Sequence, residues 1–274
     1  MRKIIFLLFI AIFINCSSDS KENLLSLFVI TEELELGENR VVMTVLDENG
    51  NTLTNNLKFY FREFESDNKT EITSKNISNW PPNRKVFVTN INFDNIGYWE
   101  FLVESPNGGA KATINVKEDS KTLGIGDSID PIYTPALDKY KISDITTDIN
   151  PKSEFYSYSL DKALIEEKPF FITFSTPGLC VTGTCSPQLE ELKKISKVYN
   201  EAIIIHVEIW QNFKEVMQKG DLSIGILNDS VKKFGIETEP WTFLIDENGI
   251  VNKRYQGFVE SSELQKDYDY VNNQ

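Results

Sequence analysis

The hydrophobic pattern changes period partway along the chain, and no single sheet or helix bundle can accommodate both parts. Between residues 24 and 117 the apolar residues fall in short β-rich runs, at 27–31, 40–46, 57–64, 85–93, 97–103 and 110–116. Turn chemistry separates them: Asp47-Glu48-Asn49-Gly50-Asn51, the Pro-containing stretch 79–83, and Asn107-Gly108-Gly109. From about residue 158 helix-spaced and strand-like runs alternate instead. This predicts a helix at 159–166, a strand at 170–174, a helix at 187–199, a strand at 202–208 and helices at 213–217 and 228–234. Strands at 241–245 and 251–256, joined by Asp246-Glu247-Asn248-Gly249, and a helix from about 261 complete the series. Two domains follow: an all-β sandwich over 24–117 and an α/β domain with a mixed sheet flanked by helices over 158–274.

Residues 118–157 connect them. Gly124, Gly126, Pro131, Pro135 and Pro151 interrupt any long periodicity. A structureless connection of that length would be unusual, and Leu123, Ile125, Ile129, Ile132 and Tyr133 predict that it lies against the second domain.

With 274 residues, 41% hydrophobic content and 12% aromatics, the chain can build two cores. Its formal net charge of -13 excludes nucleic-acid binding as a main function, because that affinity rests on phosphate neutralisation by Lys and Arg. The sandwich region holds no Cys and no His. Its Phe59, Phe61, Phe87, Phe93, Trp99 and Phe101 are expected in a core, and its carboxylates on a solvated face.

Chemistry concentrates instead in residues 175–187, Ser-Thr-Pro-Gly-Leu-Cys-Val-Thr-Gly-Thr-Cys-Ser-Pro, which hold two of the three cysteines, Cys180 and Cys185. They fall at a strand-to-helix junction. A thiol at a helix start meets unpaired N–H groups and the positive end of the dipole, which favour thiolate by about 0.3–1 kcal/mol, and on this ground Cys185 is the expected reactive sulfur. Four intervening residues, Gly183 among them, allow the sulfurs to reach disulfide distance. So short a loop adds little stability to the fold if closed, although a fixed loop-pinning bond is the alternative.

The third cysteine has a different setting. Met1-Arg2-Lys3, the apolar run 4–14 and Asn15-Cys16-Ser17-Ser18-Asp19-Ser20 have the charged and apolar regions of a secretory signal, too short to span a membrane stably. The arrangement resembles a bacterial lipoprotein signal over residues 1–16. The resemblance implies lipidation of Cys16, a polar tether at 17–23, a membrane anchor and a cell-envelope location; Asn15 stands where that family has Gly, Ala or Ser. A plain secreted protein, or an uncleaved anchor with Cys16 as a bystander, is the other possibility. Export would place Cys180 and Cys185 where disulfides persist.

Phe170-Phe171-Ile172-Thr173-Phe174, Cys185-Ser186-Pro187 and Glu239-Pro240-Trp241-Thr242-Phe243-Leu244-Ile245-Asp246-Glu247-Asn248-Gly249 together resemble exported thioredoxin-like proteins. The Thr-Pro-x-x-Cys-x-x-x-x-Cys-x-Pro pattern at 176–187, with Val207-Glu208-Ile209-Trp210, resembles a bacterial branch with a widened cysteine loop. Gly97-Tyr98-Trp99-Glu100-Phe101 in the first domain resembles immunoglobulin-like modules.

The thioredoxin resemblance implies thiol-disulfide exchange by Cys185 with Cys180 as partner, and a cis Pro240 facing them with backbone groups open to a substrate strand; a trans loop proline is the other reading. It implies no cofactor. Thr173 stands where thioredoxins bury an acid, so Glu208 is the candidate proton acceptor, unless it is a surface residue. Partners would be exported thiol or disulfide proteins or a redox protein.

Two other functions stay open at this point: a copper carrier using Cys180, Cys185 and the only histidine, His206, and a binding module with an inert disulfide.

Overall fold

The computed structural model describes residues 25–106 and 108–273. The stretches read as a signal and a tether, with Cys16, lie outside them. The first unit contains β1 (Ser26–Val29), β2 (Leu34–Glu35), β3 (Gly37–Leu46), β4 (Lys58–Glu63), β5 (Thr70–Glu71), β6 (Asn76–Trp80), β7 (Arg84–Phe93), β8 (Gly97–Ser105) and β9 (Gly108–Lys117). They form two sheets, in the orders β1-β3-β7-β6 and β2-β9-β8-β4-β5. Alternate residues point between the sheets, as the two-residue period of a strand requires: Val41, Met43 and Val45 from β3 meet Phe59, Phe87, Phe93, Phe101 and Val103. Trp99 joins them and Phe61 packs at the margin.

The six expected strands are all present, and the sandwich is immunoglobulin-like in its two packed, largely antiparallel layers. Three further strands carried no apolar alternation to reveal them. β2 and β5 are two residues each, and β6, Asn-Ile-Ser-Asn-Trp, is a mostly polar edge strand. Asn79 and Trp80 therefore end a strand rather than begin the turn expected at 79–83.

The second unit contains α1 (Leu160–Ala163), β10 (Phe170–Phe174), α2 (Cys185–Val198), β11 (Ile203–Val207), α3 (Phe213–Lys219), α4 (Asp229–Lys233), β12 (Trp241–Ile245), β13 (Val251–Gln256) and α5 (Ser261–Asn272). Its sheet runs β11-β10-β12-β13, with β10 parallel to β11 and antiparallel to β12, and β13 antiparallel to β12. That order, with a helical crossover between the first two strands and a hairpin between the last two, is thioredoxin-like. β10, β11 and β12 are buried throughout, which explains their unbroken apolar runs. Phe170, Ile172 and Phe174 face one side with Leu160, Val231 and Phe234, while Phe171 faces the other with Leu189, Leu192, Ile195, Leu264 and Tyr268.

Residues 118–157 are layered onto the second unit. Ile129 belongs to one of its cores, and Ile145, Phe155 and Tyr156 to the other. Leu123 N–H donates to the Phe234 carbonyl, and Thr134 Oγ1 accepts from Leu160 N–H. The tightest seam is at Gly235, where an added Cβ would lie 1.8 Å from the Lys121 carbonyl oxygen.

The sandwich meets the second unit along β13 and the start of α5. Arg254 pairs with Glu35 at 2.9 Å and donates to Ser120 Oγ and the Thr122 carbonyl, so one buried guanidinium ties together both units and their connection. Arg40 makes a two-pronged contact with Glu263 at 2.6 and 2.8 Å. The backbone N–H groups of Glu32 and Glu33 both donate to Gln256 Oε1. Trp80 lies edge-on to Phe258, with ring centroids 6.0 Å apart.

Candidate functional site

After β10 the chain leaves the sheet through Ser175 and Thr176, circles through residues 177–184 and enters α2 at Cys185. Gly183, at φ +70°, supplies a left-handed turn that a side chain would strain. Pro187 fits the first turn of α2 because its missing N–H has no acceptor there. Leu189, Leu192 and Ile195 then hold the helix on the sheet. Cys180 and Cys185 form a disulfide, their Cα atoms 6.1 Å apart.

The two sulfurs are not equivalent. Cys185 is fully buried, whereas Cys180 is part-exposed. The Cys185 N–H donates to Cys180 Sγ at 3.3 Å, and Thr182 Oγ1 lies 3.2 Å from the same sulfur. The helix start therefore serves the sulfur of Cys180. The helix-start position made Cys185 the expected reactive sulfur; in the closed disulfide its side chain is buried while its N–H faces Cys180.

The Glu239–Pro240 peptide is cis. Thr182 Oγ1 donates to the Glu239 carbonyl at 3.4 Å, which joins this turn to the cysteine loop. The Pro240 carbonyl accepts from Gly257 N–H at 2.8 Å, so that group is committed to the sheet rather than open to a substrate strand.

Thr173 is buried, with Oγ1 3.1 Å from the Trp241 carbonyl and 2.9 Å from Thr242 Oγ1, and it offers no acid. Two carboxyls do lie under the loop. Glu208 follows β11 and is 3% exposed, which sets aside a surface role. Its Oε1 accepts from Thr146 Oγ1, Thr147 N–H and Thr147 Oγ1, while Oε2 has no partner among the described residues. Burial pushes its carboxyl up to about 7 against the opposing Thr147 donors, and the charge of Glu239 adds to the rise.

Glu239 was not anticipated, although its place directly before Pro240 marked it. Its Oε2 accepts from Thr176 N–H, and burial lifts its carboxyl to about 7 as well. Thr147, which no motif signalled, accepts from Gly178 N–H at 2.8 Å and so ties Glu208 to the loop. The strap carrying Thr147 is fixed to α2 by Lys193, whose Nζ reaches Asp148 Oδ2 at 2.9 Å and the Asn150 carbonyl at 2.7 Å. Between those anchors Ile149 is fully exposed, and Val181 on the cysteine loop is 85% exposed.

His206 is buried inside β11. Its Nδ1 lies 2.7 Å from the Tyr156 hydroxyl and its Nε2 3.0 Å from Ser175 Oγ and the Ser175 carbonyl. Burial depresses its pKa to about 4. Both ring nitrogens are engaged, and no group of three His, Cys, Asp or Glu among the described residues could hold a metal ion. Cys180, Cys185 and His206 do not fit a copper site.

No family model matches the chain, and no curated protein matches it. Among solved structures it is similar to a thiol:disulfide interchange protein of the thioredoxin family from Chlorobium tepidum TLS, at 14% identity over 52% of this chain and 99% of that one, with a TM-score of 0.30. It is also similar to the Lin-41 filamin domain, at 9% identity over 34% of this chain and 93% of that one, with a TM-score of 0.23.

Proposed function

We propose that this chain is an extracytoplasmic thiol-disulfide oxidoreductase, tethered to a membrane through lipidated Cys16, in which Cys180 exchanges with the partner and Cys185 resolves. The observation that carries this is the asymmetry of the disulfide. One sulfur is accessible, accepts from the Cys185 N–H and has the Thr182 hydroxyl 3.2 Å away; the other is buried behind it. Donors aimed at one sulfur stabilise its thiolate and make it both the better attacker and the better leaving group.

In the reducing direction the Cys180 thiolate attacks one sulfur of a partner disulfide. That S–S bond breaks, and the other partner sulfur leaves as a thiolate that takes a proton from water. Cys185 then loses its proton to water and attacks Cys180 Sγ, closing the intramolecular disulfide and expelling the second partner sulfur as a thiolate. Two electrons pass from Cys180 and Cys185 to the partner. The oxidising direction is the reverse, and the partner's own potential selects between them.

The partner proposed is an exported polypeptide carrying a thiol or disulfide. Exposed Val181, next to Cys180 in the chain, and exposed Ile149, on the strap that Thr147 ties to the loop, give such a chain apolar contact. The sandwich acts as a spacer that sets how far from the membrane the disulfide is held. Cys185→Ser should trap a mixed disulfide between Cys180 and a partner peptide; absence of any adduct in that variant, with the thiol shown to be free, would sink the proposal.

A further inference from the structure

Thr176 stands between Glu208 and Glu239. Its Oγ1 accepts from Ile209 N–H, the amide that follows Glu208, at 3.3 Å, and its own N–H donates to Glu239 Oε2. The two carboxyls also hold the same loop from opposite sides. Glu208 acts through Thr147 and Gly178, while Glu239 acts through Thr176 and, by its carbonyl, Thr182. A wide loop of four residues between cysteines thus rests on two acids.

Glu208 Oε1 already has three donors, yet Oε2 is buried with none among the described residues. An ionised carboxylate oxygen left so would carry its full desolvation cost. A proton on Oε2 turns the orphan acceptor into a donor. The Thr176 hydroxyl has only one proton to offer, so it cannot supply both carboxylates if both are charged.

We infer that Glu208 and Glu239 form a coupled carboxyl pair that holds one proton between them at neutral pH, with Glu239 the positioning residue that sets the protonation of Glu208. Burial lifts each carboxyl to about 7, and the charge of Glu239 adds to the rise at Glu208. Other titratable groups around them do not replace the proton. His206, two residues before Glu208, is engaged by Tyr156 and Ser175 and stays neutral. Asp148 is paired with Lys193. The Tyr156 phenol is pushed well above its ordinary range by burial, so it too stays neutral. As the pair loses its last proton it gains a second negative charge under the loop, which disfavours the Cys180 thiolate.

The consequence for Cys180 rests on the proposed exchange chemistry; the shared proton does not. The test is a 13C NMR titration of the glutamate carboxyls in the full chain, disulfide closed, for wild type, Glu208→Gln, Glu239→Gln and Glu239→Asp. In wild type at least one of the two carboxyls should retain its proton at pH 6. Glu239→Gln should lower the proton affinity of Glu208 about threefold or more, as loss of a nearby like charge does, and Glu239→Asp should restore part of it. In the reduced protein, alkylation of Cys180 against pH should show a second inflection that Glu208→Gln removes and Glu239→Gln moves to lower pH.

Two ordinary acid midpoints in wild type, or a Glu208 midpoint unchanged by Glu239→Gln, would overturn the pair, and the wild-type titration decides even if a variant misfolds. Failure of exchange in a turnover assay would instead overturn the oxidoreductase function and leave the titration untouched.

Discussion

The backbone nitrogen of Cys185 lies 3.3 Å from Cys180 Sγ, so the residue that contributes the buried sulfur also supplies the N–H that supports the exposed one. Reduction would separate the sulfurs, and that N–H would then meet a thiolate rather than a disulfide. Charge-assisted hydrogen bonds of this type are about twice as strong as neutral ones.

Thr182→Val should therefore slow alkylation of reduced Cys180 at neutral pH by about tenfold, the scale of one hydrogen bond to a charged group. The Thr182 hydroxyl lies 3.2 Å from Sγ, and on reduction its one proton can turn from the Glu239 carbonyl to the thiolate. Rates with iodoacetamide, followed by mass spectrometry, check this; Thr182→Ser should restore them.

Glu208→Gln should change how stability depends on pH. The folded carboxyl sits at about 7 against an ordinary 4.5. Between those values the folded state binds more protons than the unfolded one, so stability is greatest below about 4.5 and falls as pH rises through about 7. The total change amounts to about 3 kcal/mol over that window. Urea unfolding at pH 4.5, 6 and 8 should show the fall in wild type and a flatter profile in the variant.

Gly257→Ala should destabilise the seam between the two units. Gly257 is at φ +74°, and an added Cβ would lie 2.7 Å from the Trp80 ring. Left-handed backbone costs a side-chain-bearing residue about 1–2 kcal/mol, and displacing Trp80 adds to that. Chemical denaturation followed by tryptophan fluorescence should show a loss of about 2 kcal/mol or more; an unchanged midpoint would contradict the packing described.

The sequence made the strands legible where burial was complete. Phe170–Phe174 and Trp241–Ile245 coincide with their apolar runs, because a strand covered on both faces has no polar position to blur its ends. Asn76–Trp80 was not legible: an edge strand needs only backbone pairing, and its alternating residues are polar. The cysteine loop was found from spacing alone, but which sulfur faces outward was not, since that depends on the rotation of α2 about its axis. Glu208 was legible as a candidate and its burial was not, because Thr146 and Thr147 arrive from some sixty residues upstream. Glu239 could have been found from its position beside Pro240.

Cys180→Ser and Cys185→Ser should fail in different ways. Both lose turnover in a disulfide-reduction assay, but only Cys185→Ser keeps the accessible thiol and accumulates a mixed disulfide. Equal adduct formation by the two variants would contradict the assignment of the outer sulfur to Cys180.

The most direct measurement is equilibration of the full chain in graded glutathione redox buffers, with acid trapping and mass spectrometry of the peptide that holds Cys180 and Cys185. A disulfide that opens and closes reversibly, at a potential above about −300 mV, is the predicted result. A bond that stays closed across the series, with a potential well below about −300 mV and no exchange with a partner thiol, would make it a structural staple and contradict the account.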